Sequence, residues 1–271
     1  MIAVSSGVKK YPFRIIASTD AGDIAYYVEP SFMKSFGLKP PSDDVYENNR
    51  EAKSVSGREW FPNILTNGRL TMFIAGNPGA GKSFLAKEMI SLLPKDCDIL
   101  LFTALEEDDG NFAEFGPRLH KIRMVPETLR KITLTEIRKR GKRPVLLFDD
   151  VDKIRNKEVE KLTFAILEDA LANGRGHEKH DGVGDIHVIA TSHALNDYRK
   201  TKYTLENSDY VGVFPQSTTY AQMQRLFEKI GLDKTLCDEV MRLGRRGEVR
   251  AVIVRKVAPM YIICGDVISL L

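Results

Sequence analysis

The apolar positions of the chain change rhythm near residue 69. Over residues 1 to 60, short β-like runs (Phe13 to Ala17, Ile24 to Val28) alternate with turn-rich polar stretches such as Lys39-Pro40-Pro41-Ser42-Asp43-Asp44. That texture predicts a small N-terminal appendage. Residues 61 to 271 read as one α/β domain, in which apolar runs alternate with helical patterns. The strand candidates are Leu70 to Ala75, Ile99 to Thr103, Val145 to Phe148, Ile186 to Thr191, Tyr210 to Phe214 and Val249 to Val254. Most are continuously apolar, as strands buried on both faces of a parallel sheet must be. Val159, Leu162, Thr163, Ile166 and Ala170 fall at helical spacing and predict one core-facing stripe. Met223, Leu226, Phe227 and Ile230 repeat it.

One strand candidate runs directly into Gly76-Asn77-Pro78-Gly79-Ala80-Gly81-Lys82-Ser83, a complete G-x-x-x-x-G-K-S, and a helix opens through Phe84, Leu85 and Met89. Strand, loop and helix together form the context that this phosphate-binding motif needs. The glycines let the backbone curl so that N–H groups converge on nucleotide phosphates, and the helix N-terminus adds partial positive charge. Residues Gly76 to Phe84 are therefore the candidate ATP-binding segment. Lys82 is expected on the β- and γ-phosphates, and Ser83 on Mg2+.

The strand Val145-Leu146-Leu147-Phe148 ends in Asp149-Asp150. An apolar strand delivering an acid beside such a loop is the Walker B arrangement, with Asp149 expected to anchor Mg2+. Asp150 is the candidate for polarising the attacking water; a surface turn acid or helix cap is its plain structural reading. A third strand ends in Thr191-Ser192-His193, where a polar group at the strand end can sit between the two motifs and sense the γ-phosphate. Ser192 and His193 are the candidates. Arg175, in the loop Asn173-Gly174-Arg175-Gly176, reads either as an exposed loop arginine or as a finger completing a neighbouring subunit's site. The adjacent His177, Glu178, His180 and Asp181 lack the H-E-x-x-H spacing, so no metal site is expected there.

Composition narrows the class without naming it. A chain of 271 residues with 43% hydrophobic and 28% charged residues is ordinary for a globular protein and unlike a disordered or fibrous one. Cys97, Cys237 and Cys264 are too scattered for a disulfide framework or zinc knuckle. No leader and no membrane-length apolar run is evident, so a cytosol-like compartment is expected. The net charge of +3 is small but unevenly spread: Arg118 to Arg143 holds ten Lys/Arg against Glu127 and Glu136, after an acidic block of Glu106, Glu107, Asp108, Asp109 and Glu114. Within the basic stretch, Lys139-Arg140-Gly141-Lys142-Arg143 directly precedes the Walker B strand, which predicts its place at the sheet edge opposite the nucleotide. It reads equally as a solvated face or as a contact for DNA phosphates.

In their order, the loop GNPGAGKS, the strand VLLFDD, the NGR loop and the strand ending TSH resemble the FtsK/HerA superfamily of P-loop ATPases. The chain is most similar to the genome-packaging ATPases of nucleocytoplasmic large DNA viruses. The segments Val213 to Ser217, Gly231 to Lys234, and the strand pair Val249 to Lys256 and Met260 to Cys264 around Pro259 are similar to that family's closing part. The resemblance covers about residues 69 to 271 and implies a RecA-like core with a mostly parallel sheet and a C-terminal β-hairpin. It further implies ATP and Mg2+, a ring, hexameric in the family, acting on double-stranded DNA, and capsid or portal partners. Such a protein would work in the host cytoplasm or virus factory, or with the virion. Two departures stand out: the second acid is Asp150 where the family often has Glu, and the sensor strand carries Ser192 and His193 where it often has Gln. Two other readings fit the motifs. One is an AAA+ or conjugation-type ATPase acting on protein or single-stranded DNA, although no helical lid pattern follows residue 264. The other is a non-catalytic nucleotide-binding assembly factor.

Overall fold

The computed structural model describes residues 2–6, 14–19, 23–27, 45–46, 60–62, 68–104, 110–140, 143–176, 184–193, 198–245, 250–265 and 267–270. Among them, five short strands form an antiparallel sheet in the order β4-β1-β3-β2-β5. These are β1 (Ile2–Ser6), β2 (Arg14–Ser18), β3 (Asp23–Tyr27), β4 (Val45–Tyr46) and β5 (Phe61–Pro62). The runs read at 13–17 and 24–28 overlap β2 and β3, Phe13 and Val28 lying outside the described residues, as does the turn-rich 39–44.

The second sheet has nine strands: β6 (Thr71–Ala75), β7 (Ile99–Thr103), β8 (Leu119–Ile122), β9 (Val145–Asp149), β10 (His187–Ser192), β11 (Tyr210–Val213), β12 (Val252–Arg255), β13 (Tyr261–Cys264) and β14 (Val267–Leu270). Their order is β14-β13-β12-β11-β6-β10-β9-β7-β8. Strands β6 to β11 run parallel, and β12 to β14 add an antiparallel meander at one edge. The architecture is the α/β one expected, with a mostly parallel sheet and a C-terminal hairpin. Every residue of β6, β7, β9, β10 and β11 is buried, which is why these strands read as unbroken apolar runs. Val249 lies outside the described residues, and the strand read there starts at Val252.

Helices cover both faces. Helix α1 (Lys82–Ser91) packs Leu85, Ala86, Met89 and Ile90 against Met72, Ile74, Leu147 and Ile189. The short helices α2 (Pro126–Leu129) and α3 (Leu134–Lys139) fall inside the basic stretch. Helix α4 (Lys157–Asn173) starts at Asn156, whose side chain accepts from the N–H groups of Glu158 and Val159, and buries Val159, Thr163, Ile166, Leu167, Ala170 and Leu171. Leu162 is only partly buried at the margin of that stripe. Helix α5 (Tyr198–Asn207) leads into β11, and α6 (Tyr220–Lys229) opens on a reciprocal Thr219–Gln222 capping box and buries Met223, Leu226 and Phe227. Helix α7 (Lys234–Gly244) precedes the meander. The small sheet joins the α1 face: Ala17, Ala25 and Trp60 belong to that core, and the Trp60 N–H donates to the Gly265 carbonyl at 3.0 Å.

The edge where the parallel strands begin is clamped by Arg69. Its Nε donates to the Ile186 carbonyl at 2.8 Å and its Nη1 to the Leu171 carbonyl at 3.0 Å, while Nη2 reaches the Ala170 carbonyl. One guanidinium thereby binds two carbonyls in the last turn of α4, one of them already accepting the Gly174 N–H, and ties them to the start of β10. Gly174 makes room for it, since a Cβ there would lie 2.6 Å from Arg69 Nη2. Burial lowers the Arg69 pKa to about 10.

Beside it, His187 is 2% exposed and its Nδ1 accepts from the Leu70 N–H at 2.9 Å. A ring held by its acceptor nitrogen must stay neutral, and burial accordingly pushes its pKa down to about 4. Because the folded value is depressed below the ordinary 6.5, the unfolded chain takes up the proton first, and stability is lost as the pH falls from 6.5 towards 4. Between pH 7 and pH 5 this histidine is expected to cost about 2 kcal/mol. His187→Asn keeps an acceptor for Leu70 but cannot titrate. Urea unfolding at the two pH values should therefore show a loss smaller by about that amount in the variant; equal losses would refute the assignment.

Candidate active site

Strand order decides which ends meet. β10 lies between β6 and β9, pairing parallel with both (Ser192↔Ala75, Ala190↔Phe148), so the tips of the P-loop strand and the Asp149 strand flank the tip that carries Thr191, Ser192 and His193. The Gly76 N–H continues the β6–β10 ladder into the loop by donating to the Ser192 carbonyl at 3.2 Å.

The loop is held from both sides. Gly79 (φ 77°) and Gly81 (φ 106°) adopt the left-handed backbone that glycine tolerates, and a Cβ on Gly76 would meet the Phe214 ring at 2.7 Å. The Ala80 N–H donates to the Asn77 carbonyl at 3.1 Å, and the Asn77 side-chain amide donates to the Ser217 carbonyl after β11. Pro78 and Gly79 are exposed, whereas Asn77, Ala80, Gly81 and Ser83 are half-buried or buried. Helix α1 begins with no side-chain cap and no acid in its first turn, so its first N–H groups and its dipole are available to an anion. The Phe84 ring turns outward, 55% exposed with Lys87 Nζ 6.0 Å from its centroid; its backbone, rather than its side chain, faces the loop's task.

Lys82 is 6% exposed, with its Nζ 3.3 Å from the Asn77 carbonyl. Burial lowers its pKa, Lys153 acts in the same sense, and Asp150, Asp149 and Asp152 oppose. Buried charge of that kind is stabilised by anionic oxygens, which nucleotide phosphates supply. Asp149 is 5% exposed at the tip of β9, and its Oδ1 accepts from the Thr191 hydroxyl at 2.8 Å. Asp149 acts electrostatically on Lys82, the neighbour of Ser83, and carboxylate and hydroxyl oxygens are the donor types that a hard cation such as Mg2+ takes. When bound, Mg2+ would neutralise charge on the β- and γ-phosphates.

Asp150 is the residue with positive φ among the described non-glycine residues, at φ 52° and ψ 35°. A left-handed aspartate costs about 1 kcal/mol, and several contacts hold it there. Its N–H donates to the Thr191 hydroxyl at 3.0 Å, its carbonyl accepts from the Lys153 N–H at 3.0 Å, and Lys153 Nζ reaches Oδ2 at 3.0 Å. His193 Nδ1 sits 3.1 Å from Asp150 Oδ1 without hydrogen-bond alignment. The His193 N–H donates to Asp152 Oδ1 at 3.4 Å. Burial holds the His193 pKa below its ordinary value; Lys82 and Lys153 add to this, and Asp150 and Asp152 oppose it. Backbone strain kept in place by so many contacts is a mark of functional sites.

The structure thus brings Lys82, Asp149, Asp150, Ser192 and His193 to one end of the sheet and leaves Arg175 at the other. Arg175 is exposed just past α4, where its carbonyl accepts from Arg138 at 2.9 Å and its charge acts on Arg69. It takes no part in the site of its own chain. Sequence reasoning passed over Thr191, Asp152 and Lys153. Asp152 and Lys153 had a signal in their spacing after Asp149, whereas Thr191 gained its place only from the insertion of β10. His177, Glu178, His180 and Asp181 lie outside the described residues.

A nucleotide loop, a buried strand-end acid and an interposed polar strand tip define a P-loop NTPase. The family model of ATPases associated with various cellular activities (AAA) matches residues 72–205. The chain is 30% identical over 194 residues to "Uncharacterized protein V3" of Sputnik virophage, covering 69% of this chain and 71% of V3. It belongs to the same family as V3, and it is an ATPase of the P-loop type that binds nucleotide. Among solved structures, the conjugation coupling protein TcpA of pCW3, in its monomer form with ATPγS, matches 94% of this chain and 75% of its own at 12% identity and a TM-score of 0.46. The cytoplasmic domain of the type VII secretion ATPase EccC of Thermomonospora curvata matches 89% of this chain and 30% of its own at 13% identity and a TM-score of 0.46.

The two acids are separable by experiment. Asn tolerates left-handed backbone, so Asp150→Asn should fold normally and keep its affinity for Mg2+-ATP, while hydrolysis slows by about 100-fold or more. Asp149→Asn should instead weaken Mg2+-dependent nucleotide binding. Turnover and nucleotide titration, with and without Mg2+, check both, and normal hydrolysis by Asp150→Asn would move the water-activating role elsewhere.

Proposed function

We propose that the chain is the ATP-hydrolysing subunit of a ring, hexameric, that moves double-stranded DNA and packages a viral genome into a capsid. Capsid or portal proteins are its partners, and the host cytoplasm or virus factory is its setting. Lys82 contacts the β- and γ-phosphates, Ser83 and Asp149 hold Mg2+, Asp150 activates water, and His193 with Ser192 senses the γ-phosphate.

The observation that carries this reading is the opposition of two chemistries across one sheet. The nucleotide machinery occupies the ends of β6, β9 and β10, and basic groups gather at their beginnings. There, Arg140 is exposed at the end of α3, Arg138 grips the carbonyls of Asn173 and Arg175, and the charge of Arg143 acts on His187. Lys131 is exposed on the same stretch, and Lys139 is paired with Glu136. Charge at that edge suits phosphate contacts that are strong, salt-sensitive and blind to sequence, which is what a translocase needs. Membership of one family with a virophage protein supports the viral setting. No helix among the described residues is long and apolar enough to cross a membrane.

Replacing Lys139, Arg140, Lys142 and Arg143 with neutral residues should weaken duplex binding for all sequences alike. The slope of log affinity against log salt should fall by about 0.9 for each phosphate that the variant no longer neutralises. Stimulation of ATP turnover by duplex DNA should fall with it. An unchanged salt slope, or turnover stimulated by unfolded protein and not by duplex, would overturn the DNA reading and leave the ATPase intact.

Arg175 extends the proposal to the ring, because an exposed arginine remote from its own nucleotide can complete a neighbour's. Arg175→Ala subunits should bind ATP normally yet fail to support hydrolysis next door. Mixing them with Lys82→Ala subunits should restore part of the activity, since an interface pairing an intact Lys82 pocket with an intact Arg175 then forms. Mixed rings as inactive as either parent, with co-assembly verified, would remove Arg175 from that role.

A further inference from the structure

Thr191 bears no motif, yet the two adjacent acids meet at its side chain. It is 0% exposed near the tip of β10. The β9–β10 ladder ends at the pair Ala190↔Phe148, and beyond that pair the Thr191 hydroxyl takes over the cross-strand bonding. It accepts from the Asp150 N–H at 3.0 Å and donates to Asp149 Oδ1 at 2.8 Å.

A hydroxyl has one proton and two lone pairs, so its roles here are settled by its partners. The Asp150 N–H can only donate, and the Asp149 carboxylate can only accept. The hydroxyl proton must therefore point at Asp149. That bond occupies one carboxylate oxygen and fixes the plane of the other. The second bond pins the N–H of the left-handed residue that follows. Serine could place the same hydroxyl, whereas valine has threonine's shape without it.

We propose that Thr191 is a positioning residue for ATP hydrolysis: one hydroxyl sets the side chain of Asp149 and the backbone of Asp150 together, so that the acid that anchors the cation and the acid that activates water keep a fixed relation. This rests on the reading that both acids serve hydrolysis. Thr191 is fully buried and spends its hydroxyl on the two acids, so it acts through them. Removing its hydroxyl keeps both carboxylates in the site and frees only their orientation, so it should slow the chemical step far more than it weakens binding.

The test compares Thr191→Val and Thr191→Ser in the full chain, reading Mg2+-ATP affinity and single-turnover hydrolysis separately. Thr191→Val should bind Mg2+-ATP within about threefold of the unmodified chain and hydrolyse it about 10- to 100-fold more slowly. Thr191→Ser should recover most of that rate. In the double variant Thr191→Val/Asp150→Asn the losses should multiply less than fully, because the part of the hydroxyl's effect that places the Asp150 carboxylate is already gone. If Thr191→Val does not fold, Thr191→Ala against Thr191→Ser gives the same contrast. Full-rate hydrolysis by Thr191→Val, or a serine variant as slow as the valine one, overturns the inference. Lys82→Ala keeps the two readings apart: turnover abolished in Lys82→Ala but intact in Thr191→Val refutes only the positioning role, whereas turnover that survives Lys82→Ala refutes the site itself.

Discussion

The position of β10 between β6 and β9 is the constraint on which the rest depends. Three parallel strands in that order end side by side, so the phosphate loop after β6 and the acids after β9 are spaced by one strand. Whatever polar groups finish β10 stand between them. The strand is pinned at both ends. At its start, Arg69 and the Leu70 N–H bond to Ile186 and His187; at its tip, the Ser192 carbonyl receives the Gly76 N–H and Thr191 bonds to both acids. A slip of β10 by one residue would turn its alternate side chains to the wrong faces, exposing Thr191 to the opposite core and taking its hydroxyl away from Asp149.

Polar side chains are buried at both ends of the parallel strands. At the starting edge, Arg69 and His187 are matched to backbone groups of fixed polarity, and those bonds brace the fold. At the site, Lys82 and His193 sit among Asp149, Asp150, Asp152 and Lys153, and Nδ1 of His193 and Oδ1 of Asp150 are buried without hydrogen bonds. A buried polar atom without a partner is costly. His187 Nε2 and Arg138 Nε at the starting edge lack hydrogen-bond partners too, so what sets the site apart is the left-handed Asp150 and the acids and lysines packed around it.

What the sequence disclosed follows from which forces leave a local trace. The P-loop was legible because its glycines, lysine and serine stand consecutively between a strand and a helix. Strands β6, β7, β9 and β10 were legible because burial on both faces demands unbroken apolar runs. Strand β8 was hidden in the basic stretch, since an edge strand tolerates His120 and Lys121 where an inner strand would not. The first strand, Ile2–Ser6, and the last, Val267–Leu270, are short and lie near the ends of the chain, where no flanking pattern frames them. Arg69 and Thr191 left no trace because their partners lie 41 to 117 residues away and depend on strand order. A residue whose task is to join distant elements becomes visible only once the topology is known.

The same topology bears on how hydrolysis could be felt at a distance. Helix α4 begins seven residues after Asp150 and ends at Asn173, two residues before Arg175. Its 17 residues span about 25 Å at 1.5 Å per residue. Its far end is locked by Arg69 to Ala170 and Leu171 and by Arg138 to Asn173 and Arg175. Its near end follows the short 3-10 turn Val151–Lys153, which carries the Asp152 and Lys153 contacts to His193 and Asp150. The connection between acids and basic edge is therefore a rigid rod held at both ends, and well-packed helices move as units rather than bending. A movement of the turn that carries Asp152 and Lys153 can rotate or shift that rod only by moving Arg138, Asn173 and Arg175 with it. A chain with flexible loops at both ends of α4 would dissipate such a shift, and the bonds that prevent this in the present fold are the Arg69 and Arg138 clamps on carbonyls rather than any contact with the nucleotide.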